Sequence, residues 1–200
     1  MAQPDFEAAT RHALERLERE LSPVYVYHSL AHTRDEVVPA AERLAGLEGV
    51  SNEALLLLRT AAYYHDIGLL RQRVNHEAAG VQIATAALPR FGYSPAQIQA
   101  IGGMIMATRL PQRPRSALEG LLADADLDVL GRTDFMHRNQ TLRAEIAAFG
   151  APIGDTQWYG QQLRFIQTHR YWTAAARTLR DEQKRINCAA LLRLLEESLS

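Results

Sequence analysis

Residues 51–70 read SNEALLLLRTAAYYHDIGLL. The run opens on Ser51, a favourable helix N-cap, and carries Glu53 in the next turn, where an acid suits the positive end of the helix dipole. Beyond that it is apolar nearly all round, which is the pattern of a helix buried on every side. Into this apolar stretch is set the pair His65-Asp66. An imidazole and a carboxylate are costly to bury without partners. A mutual hydrogen bond would lower that cost, and so would a shared cation. Adjacent side chains on a helix diverge by about 100°, so the pair can grip only one edge of an ion. Other segments must complete the shell, and His32 upstream and Asp126 downstream are of the right chemical type.

Outward from this helix the periodicity stays helical. Phe6, Leu14, Leu17 and Leu21 mark a first helix that stops before Ser22-Pro23, because proline disfavours helix in the residue before it. Asn75 reads as the N-cap of a helix that ends near Pro89, and Ser94-Pro95 restarts one through Met106. Further helices are expected at about 115–130, 132–148, 155–168 and 172–198. The short β-branched run Val24-Tyr25-Val26-Tyr27 reads as an extended connector. The expectation is an all-α chain, one helical bundle over 1–200, with a core at about 25–150 and C-terminal helices at about 155–199 packed on it. The punctuated loops 107–115 and 150–154 are where such a bundle would place substrate contacts.

Composition sets the outer limits. The 200 residues are 47% hydrophobic and 22% charged, which excludes disordered and fibrous classes. Lys+Arg total 22 against 23 Asp+Glu, a net charge of −1 that offers no basic excess for a stable nucleic-acid complex or an anionic membrane. The single cysteine, Cys188, provides neither a disulfide framework nor a thiolate cluster. The charged N-terminal stretch lacks the apolar core of a signal peptide, and no apolar run reaches the roughly 20 residues of a membrane span. A cytoplasmic chain is expected, with amphipathic helices at both ends that leave a homo-oligomer open.

The remaining histidines and aspartates fall into a spaced set. Tyr27-His28-Ser29-Leu30-Ala31-His32-Thr33 is followed by His65-Asp66-Ile67-Gly68, then Asp124-Ala125-Asp126-Leu127 and Gly131. This order resembles the HD superfamily of metal-dependent phosphohydrolases. Within it, the branch that opens on a YHNxxHT-like motif is the most similar, with Ser29 standing where that branch carries asparagine. The run 165–173, with Lys184 and Asn187, is also similar to that branch's C-terminal helices. The resemblance covers about residues 25–190.

The resemblance implies His32, His65, Asp66 and one aspartate of the 124–126 segment as metal ligands. Asp126 is preferred and Asp124 is the alternative, while Asp128 reads as a solvated charge. Two nitrogens and two carboxylates without sulfur suit Mn, Fe, Co, Ni, Zn or Mg. In two-metal relatives a histidine opening the helix after the dyad binds a second ion, and His76 in His76-Glu77-Ala78-Ala79-Gly80 stands in that place. Those relatives carry a further histidine near the end of the next helix, where this chain has Met104-Ile105-Met106-Ala107-Thr108. A second ion is therefore disfavoured, and His76 is left to contact substrate, a water or a weakly held ion.

The implied activity is hydrolysis of a phosphomonoester or phosphodiester, of a nucleotide or a small phosphorylated metabolite, by water activated on one divalent ion. Asp66 would bind the ion with one oxygen and orient water with the other. Glu77 is a candidate base, or else a first-turn capping charge. Arg109 and Arg71 are candidate phosphate donors, and His28 is a residue on the substrate side. His169, Tyr171 and Lys184 are candidates for the pocket mouth, with core packing the preferred reading of Tyr171 and Trp172. His12 and His137 read as solvated. The competing readings are a diiron oxygenase on the same scaffold, and a non-catalytic ligand-binding or regulatory domain that keeps the metal as a structural clamp.

Overall fold

The computed structural model describes residues 3–150 and 152–200. Among these, nine α-helices follow one another without a strand: α1 (Phe6–Glu20), α2 (Val38–Leu47), α3 (Asn52–Tyr64), α4 (His76–Ala87), α5 (Pro95–Ala107), α6 (Ala117–Asp126), α7 (Phe135–Ala148), α8 (Asp155–Thr168) and α9 (Ala174–Glu197). The expected all-α architecture is what forms. No helix among the described residues is long and apolar enough to cross a membrane.

Side-chain chemistry sets the ends. Asp5 caps α1 by accepting from the Ala8 N–H, and Ser51 caps α3 through Ala54. Ser94 and Gln97 exchange hydrogen bonds in a full capping box at the start of α5. Thr173 caps α9 through Ala176.

The fold departs from the sequence reading in several places. Asn75 does precede α4, but it sits at φ 57° in the left-handed region, and its side chain makes no capping bond. The helical stretch 32–47 was not anticipated. It opens as a π-helical segment (His32–Val37) and continues as α2. Trp172 is 46% exposed rather than core, while Tyr171 is buried as expected. His12 is not solvated: it hydrogen-bonds Arg90 at 2.9 Å and meets the Phe91 ring edge-on.

The chain divides into two compact units. The first comprises the residues up to Ser22 together with His28–Asp126. Its core is aliphatic, with Leu17, Leu44, Leu58, Ile83, Ile101 and Leu121 all but sealed from solvent. Here α4 packs on α5, α5 on α3 and α6, and α2 on α3 and α6. The second unit comprises Pro23–Tyr27 with Leu127–Ser200, and in it α8 packs along α9. Asp128 belongs to this second unit and corrects the expectation of a solvated charge. It is 4% exposed and grips Arg180 through two hydrogen bonds of 2.7 and 2.8 Å. The arginine fork offsets the carboxylate's lost hydration.

Candidate metal centre

The dyad lies at the end of α3 rather than within it. The helix stops at Tyr64, His65 is its C-cap, and Asp66 turns away at φ −100°, ψ 0° into a 3-10 turn (Ile67–Leu70). This break overturns the sequence argument that the two side chains diverge around a helix. His65 Nε2 and Asp66 Oδ2 come within 3.3 Å of each other.

Gly68 makes the next step sterically open. A Cβ there would lie 1.8 Å from the His76 carbonyl oxygen and 2.6 Å from the Gly80 nitrogen. Only glycine lets the first turn of α4 come down on the dyad, and that approach carries His76 to Asp66. The π-helical segment brings in His32, with the Ser29 hydroxyl accepting from the His32 N–H at 3.3 Å. π-Helical turns are rare and recur at functional sites. The last residue of α6, Asp126, contributes Oδ1 at 3.5 Å from Nε2 of both His32 and His65.

The orientation of the imidazoles is decisive. His65 Nδ1 lies 2.7 Å from the Ala62 carbonyl oxygen, which can only accept, so Nδ1 carries the proton and Nε2 presents its lone pair in the neutral ring. The same holds for His32, whose Nδ1 donates to Glu36 at 2.9 Å, and for His76, whose Nδ1 donates to the Arg73 carbonyl at 3.2 Å. All three Nε2 atoms face carboxylate oxygens: Asp126 for His32, Asp66 and Asp126 for His65, Asp66 at 3.2 Å for His76. Lone pairs facing lone pairs repel unless positive charge lies between them, either a second ring proton, as at His76, or a metal ion. His65 Nε2 and Asp66 Oδ2 are buried and have no hydrogen-bond partner. One ligand atom each from His32, His65 and Asp66 lies within 4.8 Å of the others, a spacing that one ion can span.

The titration behaviour agrees. Burial disfavours a charged His32, yet the carboxylates of Asp126 and Glu36 outweigh it and lift the ring to about 9. His76 is likewise raised to about 9, against burial, by Asp66. Asp66 is held well below the usual carboxylate range, because the neighbouring imidazoles overcome its own burial. The cluster calls for positive charge. A divalent cation satisfies the same carboxylates while releasing protons from the rings, and the donor set fits one.

The sequence-predicted residues divide accordingly. His32, His65, Asp66, His76 and Asp126 come together, and Glu77 joins them with Oε1 3.7 Å from His76 Nε2. His28 stands beside both His32 and His76, with ring centroids 6.0 and 6.4 Å away. Asp124 is fully buried two residues before Asp126. Arg71 reaches Gln82 on α4 instead of the cluster, and Arg109 lines a separate groove between α4 and α5 that no metal-cluster residue lines. In the second unit, Lys184 donates to the His169 carbonyl and lies over the Tyr171 ring, while the His169 and Tyr171 rings meet edge-on at 4.7 Å. The sequence reading missed Glu36. Its signal was present four residues after His32, the spacing at which one side chain can brace another on a helical turn.

Comparison with known proteins follows the same lines. The HD domain family model matches residues 26–128. No curated protein sequence matches the chain. Among solved structures it is similar to a predicted HD superfamily hydrolase from an uncultured Thermotogales bacterium, at TM-score 0.62 and 21% identity, over 97% of this chain and 93% of that one. It is also similar to Bacillus subtilis YpgQ in complex with ADP, at TM-score 0.63 and 18% identity, over 94% of this chain and 96% of that one. Both likenesses are of fold. With the family model covering more than half of its length, the chain belongs to the HD domain family.

Proposed function

We propose that the protein is a metal-dependent phosphohydrolase that cleaves a phosphomonoester or phosphodiester of a nucleotide or a small phosphorylated metabolite. The observation that carries this reading is the convergence of imidazole Nε2 lone pairs and carboxylate oxygens on one buried point. His32, His65, Asp66 and Asp126 would hold one divalent ion. When bound, such an ion supplies an acidified water and a polarised phosphoryl oxygen.

The protein's own groups complete the chemistry. Glu36 locks His32 with Nδ1 protonated, and the Ala62 carbonyl does the same for His65, so both rings keep their Nε2 atoms turned inward. Asp66 turns Oδ2 toward His65 and Oδ1 toward His76, and Oδ2 would be the oxygen offered to an ion. Glu77, 8% exposed and close to His76, takes the proton of the attacking water. His76 holds a proton at Nε2 between the two carboxylates and delivers it to the leaving oxygen. His28 lies on the substrate side, and the ADP complex of YpgQ supports a nucleotide as the substrate class.

Phosphate release from a panel of nucleotides and model phosphate esters tests this reading. Release that depends on added divalent ion and falls about 10³-fold or more in His65→Ala is expected, since losing a ligand forfeits several kcal/mol of charge stabilisation. Activity unchanged after exhaustive chelation would overturn it.

A further inference from the structure

A groove of about 1040 Å³ is lined by residues of α4, α5 and the loop 108–116. It is separate from the metal centre: none of His32, His65, Asp66, His76 and Asp126 lines it. Its lining includes the apolar side chains of Val81, Ile98 and Met106, all half-buried. Gly102 lets α5 approach Val81 closely, since a Cβ there would sit 3.3 Å from the valine methyl.

The rim is cationic. Arg109, Arg113 and Arg115 all line the groove and are all exposed, and their guanidinium groups make no ion pair or side-chain hydrogen bond among the described residues. The sole acid among the lining residues, Glu119, makes no side-chain ion pair with them among the described residues. Its carboxylate accepts from the Arg115 backbone N–H at 2.6 Å and rests against Gly103, where a Cβ would come within 2.9 Å. The loop is also anchored. Gln112, in the middle of the three arginines, points inward, is 9% exposed and donates to the Ala123 carbonyl at 2.8 Å. Three arginines against one carboxylate thus leave an excess of positive charge beside an apolar trough, whose volume stands at the upper end of small-molecule sites.

We propose that this groove binds a free anionic amphiphile, a molecule with a slender apolar body and a carboxylate or phosphate head. The body lies along Val81, Ile98 and Met106, and the head meets Arg109, Arg113 and Arg115.

The test uses the full-length protein and the fluorescent probe 8-anilinonaphthalene-1-sulfonate, with myristate, dodecyl phosphate, inorganic phosphate and neutral dodecyl maltoside as competitors. One probe per chain is expected, displaced by myristate and by dodecyl phosphate, which have tails of nearly the same length and different head chemistry. Dodecyl maltoside and inorganic phosphate should fail to displace it at the same concentration, because each lacks one half of the recognised chemistry. The triple variant Arg109→Gln/Arg113→Gln/Arg115→Gln should weaken probe binding about tenfold or more. Thr85→Trp should block it by filling the groove from an exposed position, with unfolding curves confirming that both variants fold. Asp66→Asn should leave probe binding unchanged, so the groove is tested independently of the phosphohydrolase reading. The proposal is overturned by probe binding insensitive to both groove variants, or by displacement by inorganic phosphate alone. Association with anionic phosphatidylglycerol vesicles without binding of monomeric myristate or dodecyl phosphate would also overturn it and would mark the rim as a membrane-facing surface.

Discussion

Asp66 and Asp128 are both buried carboxylates, exposed by about the same 4%, and the chain treats them in opposite ways. Asp128 has its charge met within the protein by the two-pronged grip of Arg180. Close by, Asn187 donates to the carbonyls of Leu130 and Arg132, and Gly131 leaves room for the Arg180 backbone, where a Cβ would lie 2.6 Å from its oxygen. Around Asp66 the neighbours are imidazoles whose proton-bearing nitrogens are already committed elsewhere. One cluster is closed and holds the backbone in place. The other is open at its centre and is built to receive charge. The difference shows how a buried polar group announces function: by what its partners cannot supply.

The sharpest way to break this comparison is to neutralise each aspartate in turn. Asp66→Asn should abolish the rise in Tm that divalent ions produce, a linkage effect worth about 2.7 kcal/mol when the ion is at 100 times its Kd. Asp128→Asn should keep that rise but lower the baseline stability by about 2–4 kcal/mol, because Arg180 loses its partner. Thermal unfolding with and without metal reads both, and a metal response lost in Asp128→Asn would erase the distinction.

Gly68→Ala comes next. The added methyl meets the His76 carbonyl, so α4 must shift away from the dyad, at about 1–3 kcal/mol in stability. The shift should show in the His76 ring resonances on nuclear magnetic resonance spectra, whose coupling to the protonation of Asp66 should vanish.

Glu36→Gln sharpens the open cluster. It keeps a group able to accept from His32 Nδ1 but removes the charge, and should weaken metal affinity about 10–100-fold by calorimetry while the stoichiometry holds.

How much of this was legible in the sequence follows from the physics of each element. The Ser51 and Ser94 caps and the proline stops are local signals, and the helix ends they mark formed within a residue or two. His65 and Asp66 stand out in the sequence as ionisable groups in an apolar run, whereas His32 and Asp126 are singled out by the spaced order that resembles the HD superfamily. The end of α3 at Tyr64 was not readable, since His65-Asp66-Ile67 carries no proline or cap signal; the close approach of Gly68 to α4 is a tertiary event. Asp128 was misread for the same reason, because its partner Arg180 lies 52 residues away. Arg109 and Arg71 were chosen by charge and nearness in sequence, which do not fix the direction of a side chain.

The smallest effect belongs to His169. Burial first, and then the nearby Lys184, depress its ring to about 4. A neutral ring in the folded state and an ordinary value near 6.5 in the unfolded chain mean that its stabilising contribution is complete above about pH 6.5. That contribution fades as pH falls and is gone below about 4. Between pH 7 and 4.5 the wild type should lose on the order of 1 kcal/mol more stability than His169→Phe, a figure reduced for the ring's partial exposure. Urea unfolding of the two proteins across this range reads the difference, and parallel curves would contradict the assignment.

The most direct test of the central claim is an anomalous difference map from crystals grown with Mn²⁺ and collected at the manganese edge. The account predicts one strong peak per chain in direct contact with Nε2 of His32 and His65, Oδ2 of Asp66 and Oδ1 of Asp126. A peak bound elsewhere, or none at saturating Mn²⁺ with those four atoms in their present places, would contradict it.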